Sequence, residues 1–295
     1  MPAAPFVVTG ASGFVGGRLV RGLEGHQAIA LGAGDWRERI DATFFDGAVV
    51  MHLAARAHRH GTDQQFAFDN VQKTRELARA AARGGARRFV FLSSIKVNGE
   101  ETTSRAFTPG DAPAPLDAYG RSKRDAEAAL HEEARAQGME VVVVRSPLVY
   151  GAPAKGHLAT LLRGCDNPWP LPFAALANRR SFIDVADLCD ALLLCASART
   201  PAGRTYLVAH RQPLSTRDLV TRVRASLGRQ PRLYAVTPRV LEALASACGA
   251  GATMRRLTRS LEADPTLAER ELGWQARVDA RESIERMVQA WREGA

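Results

Sequence analysis

A glycine-rich segment joins an apolar run to a helical pattern near the start of the chain, and it constrains the fold more than any other feature. It reads Thr9-Gly-Ala-Ser-Gly-Phe-Val-Gly16, so that glycine recurs at every third position directly after Phe6–Thr9. Glycine tolerates a positive φ and close approach of a phosphate, and the following helix directs free N–H groups toward an anion. The segment therefore predicts a site for a dinucleotide pyrophosphate.

Strand-like and helical segments alternate through the first half of the chain. Apolar runs lie at 6–9, 28–31, 48–53, 89–92 and 141–145, and helical patterns lie between them at 15–23, 70–82 and 118–137. This alternation predicts an α/β fold with a Rossmann-like doubly wound parallel sheet. We expect residues 1–150 with about 181–210 to form a dinucleotide-binding domain. We expect about 151–180 with 211–295 to form a smaller α+β substrate domain.

A tyrosine and a lysine, Tyr119 and Lys123, stand four residues apart in the third helical pattern, which places them on one helix face. A lysine charge about 5 Å away would lower the pKa of a phenol from about 10 toward neutral pH, where a phenol can act in acid–base catalysis. Only four lysines occur in the chain, so a chance pairing is less expected than usual. Ser93 and Ser94 end a predicted strand, at the sheet edge where doubly wound folds bind ligands.

The composition is that of an ordinary globular protein, with 24% charged residues and a formal net charge of +9. The arginines are spread along the chain, which favours a basic surface over a nucleic-acid partner. No apolar run approaches the roughly 18 residues of a membrane span. The scattered cysteines and the absence of a basic leader predict a cytoplasmic protein with free thiols. No metal site is expected, because His58 and His60 lack a third ligand at a suitable spacing.

Together these motifs resemble the extended short-chain dehydrogenase/reductase family, in its branch of NAD-dependent epimerases, dehydratases and reductases of sugar nucleotides. The resemblance extends from Gly10 to Trp274. Five further motifs carry it: His52-Leu-Ala-Ala55, Asn70, Arg145-x-x-x-Val-Tyr-Gly151, Arg180-Ser-Phe-Ile-Asp-Val-Ala-Asp187 and Leu272-Gly-Trp274. It implies a homodimer that acts on a nucleotide sugar.

The resemblance also implies roles for individual residues. Ser94 and Tyr119 would bind the reacting sugar oxygen, with Tyr119 as general acid and base, and Lys123 would lower the Tyr119 pKa and hold the nicotinamide ribose. The implied cofactor-binding residues are Gly10, Ser12, Gly13, Phe14, Val15, Gly16, Asp35, Trp36, Leu53, Ala54, Ala55, Asn70, Ser93, Tyr119, Lys123 and Pro147. The implied substrate-binding residues are Ser94, Lys96, Arg180 and Arg259, and the planar fork of Arg180 suits a diphosphate.

Three departures from the family pattern qualify these expectations. The segment from Gly16 to Asp35 is short, which predicts that one strand–helix unit is missing near the adenine end of the cofactor. The acidic pair of sugar 4,6-dehydratases is replaced by Ile95 and Lys96, which argues against dehydration. Leu148 stands where the family has a substrate-contacting asparagine.

The resemblance implies an NAD(P)-dependent oxidoreductase acting at carbon 4 of a nucleotide sugar, most simply a UDP-sugar, in the synthesis of surface-polysaccharide sugars. The sequence leaves open whether the enzyme is a 4-ketoreductase or a 4-epimerase. It also leaves open whether the cofactor is NAD or NADP, because neither an acid nor a base follows Leu31 directly. A non-catalytic NAD(P)-binding sensor or scaffold is the alternative, although the chain retains Ser94, Tyr119 and Lys123.

Overall fold

The computed structural model describes residues 5–24, 28–31, 42–57, 61–154, 156–199 and 203–294. The strands are β1 Phe6–Thr9, β2 Ala28–Leu31, β3 Val49–His52, β4 Arg88–Ser94, β5 Glu140–Ser146, β6 Leu148–Tyr150, β7 Phe182–Asp184 and β8 Arg204–Leu207. The helices are α1 Phe14–Gly22, α2 Asp63–Phe66, α3 Lys73–Arg83, α4 Ala118–Arg135, α5 His157–Asp166, α6 Val185–Ser197, α7 Thr216–Ser226, α8 Pro238–Ala247, α9 Gly251–Thr258, α10 Thr266–Leu272 and α11 Ala280–Glu293. A π-helical segment, Ala67–Gln72, joins α2 to α3, and short 3₁₀ turns lie at Ala42–Phe45 and Ile95–Val97.

Six strands form one parallel sheet in the order β2-β1-β3-β4-β5-β8. This arrangement confirms the predicted Rossmann-like fold. Within the described ranges β2 is the edge strand, and no further strand lies beyond it. The predicted loss of one strand–helix unit between Gly16 and Asp35 falls partly outside the described residues and stays a prediction.

Apolar side chains alternate between the two faces of the sheet, as the pleat of a strand requires. On one face, Val8 and Met51 pack under α1 and α6. On the other face, Val50 and Phe89 pack against α3 and α4. Because both faces are covered by helices, the carboxyl edge of the sheet is left for a ligand.

A third apolar core lies outside the sheet, among β6, α5, α7, α8 and α11. It includes Tyr150, Leu162 and Met287. Ala268 and Trp274, by contrast, pack with the α6 face of the sheet, although they fall within the predicted substrate domain. The division into two domains stays a prediction.

The cysteines are free thiols, and most of them are buried. Cys165, Cys189 and Cys195 are buried free thiols, and Cys248 is exposed. Burial raises the pKa of Cys165 to about 11, which makes that thiol unreactive at neutral pH. Among the helices that the structure describes, none is both long and apolar enough to cross a bilayer.

One buried arginine, Arg88 at the start of β4, fastens the sheet to the end of α6. Its Nη1 donates to the carbonyl oxygens of Cys195, Ala196 and Ala198 at 2.9, 3.1 and 2.6 Å, and its Nε donates to Glu140 at 2.7 Å. These carbonyls lack partners within the helix and carry its negative dipole end. Arg88 is therefore a structural cation of the fold.

We expect Arg88→Met to lower the free energy of unfolding by about 3 kcal/mol, because it leaves buried carbonyls unpaired. Urea unfolding should show a lower midpoint at an unchanged m value. The neighbouring Arg87→Met, at an exposed position, should change stability by less than about 0.5 kcal/mol. Equal effects of the two substitutions would contradict this role.

Candidate active site

The glycine turn after β1 packs directly onto the chain that leaves β3. Gly10 has a φ of +73°, and a Cβ placed there would lie 2.7 Å from the Ala54 backbone nitrogen. A Cβ on Gly16 would lie 2.1 Å from the Gly10 carbonyl oxygen. Both positions therefore require glycine. The predicted turn is present, and it is closed by a 2.8 Å hydrogen bond from Gly13 N to Gly10 O.

The N-terminus of α1 fits an anionic cofactor. Gly13 is its N-cap and offers no side chain to accept from the first-turn N–H groups, and the first turn contains no acid. These N–H groups and the positive dipole end suit a pyrophosphate. Ser12 is exposed beside them, while Phe14 and Val15 pack toward the sheet core.

The segment after β3, Leu53-Ala-Ala55, is held in place by Asn70. The Asn70 amide oxygen accepts from the Arg56 backbone N–H at 2.7 Å. Its amide nitrogen donates to the Arg56 carbonyl at 3.3 Å and to the Ser122 hydroxyl at 2.9 Å. Asn70 thereby ties this segment to α4, and its amide nitrogen is engaged with protein partners.

A buried histidine, His52 at the end of β3, links the end of β1 to helix α3 through its two ring nitrogens. Its Nδ1 bonds the Thr9 hydroxyl at 2.5 Å and its Nε2 bonds the Thr74 hydroxyl at 2.9 Å. The Thr74 hydroxyl donates its proton to the Asn70 carbonyl at 2.6 Å, so His52 must donate from Nε2 and accept at Nδ1. Burial, reinforced by the Lys123 charge, lowers the pKa of His52 to about 3, which keeps it neutral.

Ser94 ends β4, and Tyr119 lies in the first turn of α4 beside it. These two residues are called the hydroxyl pair. The side chain of Ser94 lies close to the phenol of Tyr119 and lowers its pKa. The Ser94 hydroxyl also accepts from the Lys96 backbone N–H at 3.3 Å. Asp117 is the N-cap of α4 and accepts from Gly120 N at 2.7 Å. The first turn of α4 is thus fixed against the end of β4, which places a proton donor beside a second hydroxyl.

Burial dominates the protonation of Tyr119 and Lys123. Burial raises the pKa of Tyr119 to about 12, against a smaller lowering by the Ser94 hydrogen bond. Burial also lowers the pKa of Lys123 to about 7, and its Nζ lies 4.0 Å from the centre of the Phe91 ring. Burial therefore dominates the Tyr119 pKa in this arrangement, and Lys123 is not among the groups that shift it, so the lowering of that pKa by Lys123 stays a prediction.

A buried ionic network that the sequence analysis did not identify lies behind Lys123. Glu127, one helical turn further along α4, binds Arg145 of β5 through two bonds, Arg145 Nε–Oε1 at 3.0 Å and Nη2–Oε2 at 2.6 Å. Arg145 also donates to the Asn98 side chain at 3.1 Å, and the Ser93 hydroxyl donates to Glu127. The one feature of the sequence that could have indicated this network is the position of Glu127, four residues after Lys123 on the same helix face.

The residues predicted to bind substrate are partly engaged with protein partners. Lys96 pairs with Glu100 at 2.9 Å and with Asp117. Arg259 pairs with Glu101 at 2.6 Å and with Glu242 at 2.9 Å. A bound substrate would therefore have to compete with carboxylates for both cations.

Arg180 has no carboxylate at ion-pair distance among the described residues. Its Nη1 donates to the Arg259 carbonyl oxygen at 3.1 Å. Burial lowers its pKa to about 10, opposed by the Glu100 charge nearby. Unlike Lys96 and Arg259, Arg180 would therefore not have to be released from a described carboxylate before it could bind an anion.

The remaining predicted site residues fall into two groups. Pro147 is buried between β5 and β6, at the carboxyl edge of the sheet. Asp35 and Trp36, predicted at the adenine end, and His58 and His60, considered as metal ligands, lie outside the described residues. The individual roles of the site residues stay predictions.

Comparison with known proteins places this site in a family. The sequence model of the NAD dependent epimerase/dehydratase family matches residues 6–209. The UDP-glucose 4-epimerase of Vibrio cholerae is 30% identical over 310 residues, which cover 97% of this chain and 94% of the relative. This match confirms the resemblance and the predicted dinucleotide cofactor.

Two solved structures share the fold over nearly the whole chain. MoeE5, solved in complex with UDP-glucose and NAD, has a TM-score of 0.79 at 24% identity, covering 99% of both chains. DesIV, a dTDP-glucose 4,6-dehydratase from Streptomyces venezuelae, has a TM-score of 0.77 at 23% identity, covering 98% of this chain and 97% of that one. With the glycine turn, the hydroxyl pair and the family match in agreement, the chain belongs to the NAD dependent epimerase/dehydratase family.

Proposed function

We propose that this protein transfers a hydride between NAD(P) and carbon 4 of a UDP-sugar. The juxtaposition of Ser94, at the end of β4, with Tyr119, in the first turn of α4, carries the proposal. Because the sheet is parallel, this pair at the end of β4 lies at the same edge as the glycine turn after β1. A sugar hydroxyl held at that edge would meet both a proton-transferring phenol and a cofactor on α1.

The protein groups act on the proton and on the position of the sugar. The nicotinamide, when bound, supplies or accepts the hydride at carbon 4. In the reducing direction Tyr119 donates its phenolic proton to the C4 carbonyl oxygen, which becomes a hydroxyl as the hydride reaches carbon 4. The raised pKa of Tyr119 keeps the phenol protonated at neutral pH, and Ser94 orients the same oxygen.

The relatives and the residues beside Ser94 help to choose among 4-epimerisation, 4-ketoreduction and 4,6-dehydration. The name of the Vibrio cholerae relative supports 4-epimerisation, and we propose it as the leading form, with 4-ketoreduction as the second. A 4,6-dehydratase shares the fold, so the fold does not separate these reactions. The local chemistry argues against dehydration, since Ile95 is buried and apolar and Lys96 is bound by two carboxylates.

The setting of the reaction also belongs to the proposal. The segment Ser94-Ile-Lys-Val-Asn-Gly-Glu100 resembles enzymes of surface-polysaccharide sugar synthesis, which supports that role for a cytoplasmic homodimer. A non-catalytic sensor is a weaker alternative, because the hydroxyl pair that chemistry requires is assembled in the fold.

The first test is turnover of a UDP-sugar panel by the purified protein, followed by NMR of the products. An epimerase interconverts the C4 epimers and keeps its cofactor through purification. A ketoreductase acts only on a 4-keto sugar and consumes NADH or NADPH. Formation of a 4-keto-6-deoxy product would contradict the proposed reaction.

We expect Tyr119→Phe to lower kcat by about a hundredfold or more, because it removes the transferred proton, and Ser94→Ala to lower it by about tenfold or more. Substrate affinity, measured by calorimetry, should change much less. Tyr234→Phe, at a half-exposed position, is the matched control and should retain full activity. An active Tyr119→Phe protein would support the sensor instead.

The glycine turn makes a prediction about the cofactor. Gly16→Ala should weaken NAD binding at least tenfold, because its Cβ would collide with the Gly10 carbonyl at 2.1 Å. Gly17→Ala, on the same helical turn, places its Cβ 3.4 Å from the Ala11 carbonyl and should bind NAD almost normally. Cofactor titration by fluorescence measures both, and equal affinities would argue against a cofactor at this turn.

The network behind Lys123 predicts the pH dependence. The pKa of Lys123 is near 7 and the Glu127 charge raises it, so the ammonium form is lost as pH rises through about 7. If catalysis requires the ammonium form of Lys123, kcat/KM falls above about pH 7. Glu127→Gln should move the fall to lower pH, by on the order of one pH unit.

The pH profile of kcat/KM measures this shift directly, because it reports groups of the free enzyme. Glu132→Gln, an exposed change on the same helix, is the control and should leave the profile unchanged. A Glu127→Gln profile that coincides with the parent profile would mean that Lys123 does not govern this limb.

A further inference from the structure

The helical hairpin of α8 and α9 carries an apolar stripe on its outside. Five exposed residues at helical spacing form it: Val240, Ala243, Leu244, Ala247 and Cys248. Val240 is 48% exposed and Leu244 is 63% exposed. A surface helix normally turns such a stripe toward the core and a polar face toward water.

The inner side of the same hairpin is already packed, so the exposed stripe is a second apolar face. Leu241 is buried in the third core, where Met254 and Leu257 also pack. Glu242 is the only charged residue between positions 240 and 253. It faces Thr258 and Arg259, to which it bonds at 2.6 and 2.9 Å.

The rim of the stripe is cationic. Arg239 precedes it and Arg255 follows it on α9, and both are exposed. Among the described residues, neither forms an ion pair with a carboxylate, and the nearest acid on which Arg255 acts is Glu242, whose pKa it helps to lower. An apolar stripe bordered by arginine, with no outward-facing acid, is the pattern of a helix that lies in the headgroup region of a membrane.

We propose that this outer stripe of α8, with Arg239 and Arg255, docks on an anionic lipid surface. Charge complementarity selects this occupant over a second copy of the chain. Two copies joined through this stripe would bring like charges together without an acid to pair them. Anionic headgroups provide the missing negative charge, and Val240 and Leu244 would enter the boundary with the acyl chains.

The docking surface adjoins the predicted substrate residues. Arg259, directly after α9, bonds Glu101, and its carbonyl oxygen accepts from Arg180. A hairpin bound to lipid would therefore hold the substrate side of the molecule close to the membrane surface. The proposal concerns attachment of the whole protein and does not require the hairpin to change the reaction.

Co-sedimentation of the full-length protein with vesicles tests this. We expect binding to phosphatidylcholine vesicles that contain about one third phosphatidylglycerol, and little binding to phosphatidylcholine alone. Leu244→Glu should weaken binding more than tenfold, since it places a charge in the stripe. The double variant Arg239→Gln/Arg255→Gln should weaken it about twenty-fivefold, at about fivefold for each arginine.

Control variants distinguish binding through the hairpin from effects of net charge or of unfolding. Arg83→Gln/Arg87→Gln makes the same change in net charge at exposed positions beyond the hairpin, and it should bind vesicles normally. Leu244→Glu should keep its far-UV circular dichroism and its melting temperature, which shows that any loss is not unfolding. Cys248 is the one exposed cysteine of the four, so an environment-sensitive dye there should shift to the blue on binding.

Three results would overturn the proposal. The first is an absence of binding to anionic vesicles. The second is equal loss of binding in the hairpin double variant and its control. The third is a dimer, seen by analytical ultracentrifugation, that Leu244→Glu separates while vesicle binding is unaffected. That last result would assign the stripe to an interface between copies.

Discussion

The bidentate pair of Glu127 and Arg145 is the interaction on which the candidate site depends. It fixes α4 against β5 at the carboxyl edge of the sheet, and through the Ser93 hydroxyl it reaches β4 as well. Both partners are almost fully buried, so the loss of either charge would leave the other unpaired in a medium of low dielectric. Tyr119 and Lys123 lie on the same helix, and their positions relative to Ser94 follow from this attachment.

Burial, more than local charge, sets the protonation states around this attachment. It keeps the Tyr119 phenol protonated, brings the Lys123 pKa close to neutrality and holds His52 neutral. A site built in this way is sensitive to any charge that enters with a ligand, because a single new charge acts through the same low dielectric. The family relationship and this electrostatic arrangement both agree with proton and hydride transfer at a sugar carbon.

The cationic side chains fall into three groups according to their hydrogen-bond and ion-pair partners. Arg88 and Arg145 are structural, since they saturate buried carbonyls and a buried carboxylate. Lys96 and Arg259, which are predicted to bind substrate, are each paired with carboxylates. Arg239 and Arg255 border the outer stripe of α8. The net charge of +9 thus does not describe one continuous basic surface.

The sequence by itself determined the alternation of strands and helices through the first half of the chain, the glycine turn and the placement of Tyr119 and Lys123 on one helix face. These features follow from period and spacing, which depend on residues close together in the chain. Only the tertiary structure decided that Glu127 meets Arg145, that Arg259 meets Glu101 and that Lys123 lies over Phe91. Ion pairing and desolvation depend on residues far apart in the chain, so the sequence could name the candidate site residues but could not assign their charges.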